Sequence, residues 1–283
     1  MSLRIAVIGD LHYPNFEQDH HTHARDEYYS KVLGSFLSHD ADFHIAAGDV
    51  THDGHSDQWT QLLQLVSEHQ SSKTETTFRH ILGNHDTLLA SKATVQDLTG
   101  RPRYFMEETA DCRLIFLDTT KESSPKDWGG LVDAEQLEWL KSLQQLPAKT
   151  TLVFGHHPFH ETTTGSDEPM MNISNGEEVF AALRALSPSG LYLNGHNHAH
   201  SIVEQHEQFP DWSFVQSASV LSSPSFRVIE VSPTHVHVST IHISDPDLTE
   251  LSAATRSGMT DYMHHPAPMG AEGDQQAVLP RVK

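Results

Sequence analysis

Six short apolar runs, at residues 3–9, 43–48, 78–83, 114–118, 151–155 and 191–195, each end at a glycine or a polar turn residue. Runs this short, bounded by turn signals, are the pattern of strands buried on both faces. Between several of them lie stretches with helical spacing, at 25–37, 57–69, 133–146 and 177–186. The third opens with Asp133 and Gln136 in a capping arrangement, presents Leu137, Leu140 and Leu143 on one face, and is stopped by Pro147. Alternating strand and helix restricts the chain to the α/β class. Beyond Gly195 the pattern changes: 201–204, 213–216, 226–231 and 235–241 read as successive strands with tight turns, so a second, more antiparallel sheet is expected. The main domain is expected to span 1–245. In the remaining 246–283, residues 247–259 read as one amphipathic helix and 266–283 as a mobile tail rich in glycine, proline and polar residues.

Most of the apolar runs lead into a segment that carries oxygen and imidazole donors: Asp10-Leu11-His12, Gly48-Asp49, Gly83-Asn84-His85-Asp86, Gly155-His156-His157-Pro158 and Gly195-His196-Asn197-His198. In open α/β sheets the loops at the carboxyl ends of strands gather at one place, where ligands bind. These donor types suit divalent transition metals. Two metals about 3.5–4 Å apart need a shared ligand, and a carboxylate can bridge where a neutral imidazole cannot, which favours Asp49. Side chains alternate along extended chain, so Asp10 and His12 can reach one ion, as can His196 and His198. Asn84 offers a neutral amide oxygen and His156 another nitrogen.

These segments resemble the calcineurin-like metallophosphoesterases, whose pattern is D-x-H, GD, GNH-D/E, H and GHxH, over roughly residues 4–200. The resemblance implies a four-layer αββα sandwich of two mixed β-sheets flanked by helices. It implies one metal held by Asp10, His12, Asp49 and His198, and a second by Asp49, Asn84, His156 and His196. His85 would contact the phosphate or protonate the leaving group, with Asp86 orienting it. His157 is expected to brace His156 or touch substrate. The metals would be Mn, Fe, Zn or Co, since mixed nitrogen and oxygen ligands do not choose among them. Metal coordination brings the pKa of bound water from 15.7 toward about 7, so a hydroxide could attack phosphorus in line while His85 protonates the departing alkoxide.

Departures from relatives narrow the expectation. The GDxxDRG of Ser/Thr protein phosphatases is replaced here by Gly48-Asp49-Val50-Thr51-His52-Asp53-Gly54. Purple acid phosphatases carry D-x-G and a tyrosine three places after the bridging Asp, where this chain has His12 and His52. The nearer resemblance is to bacterial class III cyclic-nucleotide and glycerophosphodiester phosphodiesterases. A small phosphodiester is therefore the expected substrate, with a phosphomonoester as the alternative and a metal-stabilised protein-binding scaffold as a third reading.

Charge supports a small ligand. With 38 acidic and 18 basic side chains the formal net charge is −20, and no basic face is readable, so long nucleic acid is not an expected partner. Two divalent ions would restore about four positive charges to one pocket. No apolar run approaches the roughly 18 residues of a membrane span, and the start of the chain has no secretory pattern, so a cytoplasmic enzyme is expected. Cys112 alone can form no intrachain disulfide and reads as a buried small side chain. Of 23 histidines, the expected site uses five. His20, His21 and His23 read as a solvated loop, while His52, His55 and His160 follow motif loops and could line the substrate approach. Residues 165–174 and the tail are candidates for a lid or a homo-oligomeric contact.

Overall fold

The computed structural model describes residues 3–70, 78–124, 126–204 and 206–280. The chain runs β1 (Leu3–Ile8), α1 (Asp19–Ser38), β2 (Phe43–Ala46), α2 (Ser56–His69), β3 (Phe78–His80), α3 (Lys92–Thr99), β4 (Phe105–Glu108), β5 (Arg113–Phe116) and α4 (Ala134–Ser142). It continues through β6 (Thr151–Phe154), α5 (Gly176–Leu186), β7 (Gly190–Asn194), β8 (Ser201–Val203), β9 (Trp212–Gln216), β10 (Ser225–Val231), β11 (His235–His242), α6 (Leu248–Ser257) and β12 (Gln276–Pro280).

Two mixed six-stranded sheets result, in the orders β12-β11-β10-β1-β2-β3 and β4-β5-β6-β7-β9-β8. β1, β2 and β3 pair in parallel, as do β5, β6, β7 and β9. Strand alternation sorts their side chains into layers. Leu3, Ile5 and Val7 of β1 meet Leu114, Phe116, Leu152 and Phe154 between the sheets. Ala6 and Ile8 point the other way, against Tyr28, Val32 and Phe36 of α1 and Trp59 and Leu62 of α2. On the far side Ile115, Val153, Tyr192 and Phe214 cover Leu137 and Leu140 of α4 and Val179, Phe180 and Leu183 of α5. This is the expected αββα order of layers. Each large apolar side chain buried in it contributes about 1.5–3 kcal/mol.

Three expectations need correction. The strands after Gly195 do not make a sheet of their own. β8 and β9 extend the second sheet, β9 alongside β7, whereas β10 pairs antiparallel with β1 and carries β11 into the first. The tail is not simply mobile: β12 pairs with β11, and Ala277 and Leu279 enter the core between the sheets while Val278 faces out. An uncovered edge strand offers unpaired backbone groups, and this segment satisfies those of β11. Finally, α1 begins at Asp19, so His20, His21 and His23 are helical, and the His21 ring at Nδ1 bonds the Ala254 carbonyl of α6 at 3.0 Å. The helix α3, capped by Ser91 and closed by a left-handed Gly100, and the edge strand β4 were not anticipated. Cys112 is buried, as expected. Among the described residues no helix is long and apolar enough to cross a membrane.

Candidate metal centre

All the motif segments leave the same ends of the parallel strands. Asp10 and His12 follow β1, Asp49 follows β2, Asn84 and His85 follow β3, His156 follows β6, and His196 and His198 follow β7. These loops are tightly wound. Asp10, His12, Asp49, His196 and His198 all have positive φ, between 39° and 73°. In non-glycine residues that conformation costs on the order of 1 kcal/mol or more each, and Asp and His tolerate it better than most. Five such residues in one place mark a site where the loops are bent to aim side chains. Two glycines make the approach possible: a Cβ on Gly48 (φ +86°) would lie 2.4 Å from His156 Nδ1, and one on Gly195 would lie 2.5 Å from Asp10 Oδ2.

Among the described residues, besides the set His12, His52 and His85, whose ligand atoms also approach one another, two groups of donors form. Asp10, His12, Asp49 and His198 bring ligand atoms within 4.8 Å of one another, and His156, His157 and His196 do the same. Asn84 joins the second group, its Oδ1 lying 3.1 Å from His156 Nε2. Asp49 lies between the two: its Oδ2 is 3.6 Å from His12 Nε2 and 3.3 Å from His156 Nε2.

The outer ring nitrogens determine what the inner ones carry. His156 Nδ1 donates to Ala47 O at 2.9 Å, His196 Nε2 to Met170 O at 3.1 Å and His198 Nδ1 to Met263 O at 2.6 Å. In neutral imidazoles this leaves lone pairs on His156 Nε2, His196 Nδ1 and His198 Nε2. Those lone pairs face other acceptors: His196 Nδ1 is 3.2 Å from His156 Nε2, and His198 Nε2 is 3.0 Å from His12 Nε2. Asp10 Oδ2 is buried with no hydrogen-bond partner. Acceptors converging on acceptors, with an orphaned carboxylate oxygen among them, fit divalent cations.

The electrostatics agree for three of the four histidines, while a metal at His156 would have to displace its proton. Burial holds His196 down to about 3 and His198 down to about 4, and keeps His12 well below its ordinary value. Burial opposes charge on His156 too, yet the Asp49 and Asp10 carboxylates outweigh it and push that ring up to about 9. Burial drives Asp10 up to about 8, against the pull of His156 and with the Asp49 charge adding to the rise. Burial likewise works against ionising Asp49, but the imidazoles of His156 and His85 hold it well below the usual carboxylate range. A cation in this pocket would stabilise both carboxylates in their charged form.

His85 is the half-exposed member of the group: its backbone N–H donates to Asp49 Oδ1 at 2.8 Å, and its Nδ1 donates to His52 O at 2.6 Å. Asp86 does not touch that ring. Its oxygens accept from Val50 N, Thr51 N, Thr51 Oγ1 and Gly83 N, so it ties two motif loops together. His157 has both nitrogens committed, to Thr119 Oγ1 and Trp128 O, and packs its ring on His196 with centroids 4.3 Å apart. It walls the site rather than bonding His156. His55 and His160 are exposed, whereas His52 is buried and stacked on His85.

Sequence reasoning underweighted His52 and did not find Tyr262, whose ring stacks on His198 with centroids 5.2 Å apart. His52 at least follows a motif loop. Nothing in the composition around Tyr262 signals a site.

Solved structures share the fold. A dimetal phosphatase from Danio rerio superposes with a TM-score of 0.67 at 16% identity, covering 86% of this chain and 97% of that one. GAP50, the anchor in the inner membrane complex of Plasmodium, gives 0.57 at 14%, covering 95% and 99%. A purple acid phosphatase from yellow lupin (Lupinus luteus) seeds gives 0.61 at 12%, covering 87% of this chain and 52% of that one. At these identities the likeness is one of fold. No curated protein matches the chain by sequence. The family model for calcineurin-like phosphoesterases matches residues 3–200, the stretch that contains every donor of both groups. On that match the chain belongs to the calcineurin-like phosphoesterase family.

Proposed function

We propose that this protein is a binuclear metal-dependent phosphodiesterase acting on a small diester of the cyclic-nucleotide or glycerophosphodiester class. One observation carries the reading: Asp49 Oδ2 lies between His12 and His156, 3.6 and 3.3 Å from their facing nitrogens, with the remaining donors divided about it. Asp10, His12, Asp49 and His198 would hold one ion, and Asp49, Asn84, His156 and His196 the other. Bound there, the ions would supply Lewis acidity toward the phosphoryl oxygens and lower the pKa of a water molecule.

The chain's own groups do the rest. His85, oriented by the His52 carbonyl through Nδ1, has its Nε2 available to deliver a proton to the leaving alkoxide, and its partial exposure places it where substrate can arrive. The Asp49 oxygen that does not face the imidazoles accepts the His85 backbone N–H, so the bridging carboxylate also positions the loop that carries the acid. Among the described residues, no lysine or arginine bonds directly to the donor groups. A diester presents a single negative charge, which two ions can neutralise, whereas a dianionic monoester would gain from further cationic donors.

The test is turnover of bis(para-nitrophenyl) phosphate beside para-nitrophenyl phosphate, with chelated protein reloaded separately with manganese, zinc and iron. Metal-dependent preference for the diester is expected. Preference for the monoester would move the assignment to phosphatase, and two bound ions with no turnover of either would move it to a scaffold.

A further inference from the structure

The family match ends at residue 200, yet residues 260–263, the strap that follows α6, touch both histidines of the Asp10, His12, Asp49, His198 group. Met263 O accepts from His198 Nδ1 at 2.6 Å. Thr260 O accepts from His52 Nε2 at 2.7 Å, which leaves His52 Nδ1 bare and 3.4 Å from His12 Nδ1. A bare nitrogen asks for a proton from its neighbour, so His12 carries its hydrogen on Nδ1 and turns a lone pair on Nε2 toward His198. Between these two contacts the Tyr262 ring lies parallel to His198 and edge-on to His12, at 5.2 and 5.3 Å between centroids. Its hydroxyl bonds Ser219 Oγ at 2.8 Å, and Ser219 Oγ donates to Asp10 O at 2.8 Å.

The strap is itself anchored. Arg256 at the end of α6 donates to Leu221 O at 2.9 Å, and Ser222 Oγ bonds the Tyr262 hydroxyl at 2.7 Å.

We propose that this C-terminal strap is a working part of the metal centre: it sets the tautomers of His12 and His198, directly through Met263 and indirectly through His52, and so tunes one of the two ions alone. This rests on the metal assignment above. A backbone carbonyl can only accept, so each one selects the imidazole tautomer that aims a lone pair at the cation and raises its basicity. The other two histidines are governed from elsewhere, His156 by Ala47 O and His196 by Met170 O, both inside the matched segment. Disturbing the strap should therefore split the pair of ions. His52 and Tyr262 act here as positioning residues.

The experiment is a two-site titration of metal-free full-length protein with manganese or zinc. It is paired with long-range proton–nitrogen NMR correlations that read each histidine tautomer. His52→Leu removes the acceptor for His12, Tyr262→Ala frees the strap, and His52→Gln keeps an acceptor for His12 and a donor for Thr260. The first two variants are expected to lose about ten- to hundred-fold in affinity at one ion while the other stays unchanged. His52→Gln is expected to restore wild-type binding, and the wild-type spectrum to show hydrogen on His12 Nδ1 and His198 Nδ1. Equal weakening of both ions, or no weakening in either variant, would overturn the proposal while leaving the metal site standing. A wild-type protein that binds no ion would remove the metal assignment and the proposal together.

Discussion

Asp10 and His196, separated by 186 residues, are joined by the His196 backbone N–H, which donates to Asp10 Oδ1 at 2.9 Å. The bond links the loop after β1 in one sheet to the loop after β7 in the other. It uses one oxygen of Asp10 and leaves Oδ2 buried without a partner. The two oxygens thus have different duties. Asp10→Asn keeps an acceptor for His196 but removes the charge, and is expected to fold normally while binding one of the two ions at least about ten-fold more weakly. Asp10→Ala should lose the tie as well and lower the melting temperature of the metal-free protein. Elemental analysis with thermal melts distinguishes the two, and an Asn variant with full metal content at limiting metal would contradict the assignment.

Asp49 shares its Oδ2 between the two donor groups, so Asp49→Asn is expected to weaken both ions, unlike any other single ligand change. The neutral amide retains an oxygen but not the charge that the two cations share. Metal content measured across a chelator series should fall together for both ions. Sequential loss of one ion, with the second unaffected, would show that the carboxylate does not bridge.

His85 bonds no other donor side chain directly, apart from the Asp49 oxygen that takes its backbone N–H, so His85→Ala should leave both ions in place. Loss of a general acid typically reduces turnover by about 10²–10⁴. The loss should be largest for substrates with alkoxide leaving groups and small for nitrophenolate, which departs without a proton. Comparable losses for both kinds of leaving group would reject the acid role.

His80, at the end of β3, is buried near Trp59 with its Nδ1 unpartnered, and burial together with the Arg101 charge holds it down to about 3 from an ordinary 6.5. Because it protonates more readily in the unfolded chain, its contribution favours the folded state above pH 6.5 and is lost as the pH falls from 6.5 toward about 3. His80→Leu is expected to flatten the fall in stability over that window in metal-free protein, measured by urea denaturation at successive pH values. An unchanged slope would mean that the folded state already accommodates the charged ring.

The candidate donors could be named because each is a side chain sitting just past a strand. Asp10, His12, Asp49, Asn84, His156, His196 and His198 could all be named from motif spacing, and the structure brings them into two adjoining groups. The roles of Asp86 and His157 were not legible. A buried carboxylate can brace loops as readily as it can orient a ring, and Asp86 meets four loop donors before it could meet His85. His157 directs its nitrogens to Thr119 and Trp128, partners that no local pattern associates with it.

By itself the sequence determined that strands such as β1, apolar on both faces from Ile5 to Ile8, need cover on both sides, a local requirement, while the four-layer order was implied by the family resemblance. It also determined which donors arrive at the strand ends. Only the tertiary structure decided which sheet each strand after Gly195 would join, since alternation says which way a side chain points and not which edge the strand will pair with. Only the tertiary structure brought Thr260 and Met263 to the histidines, because the groups they contribute are backbone carbonyls, which every residue carries and no sequence pattern marks.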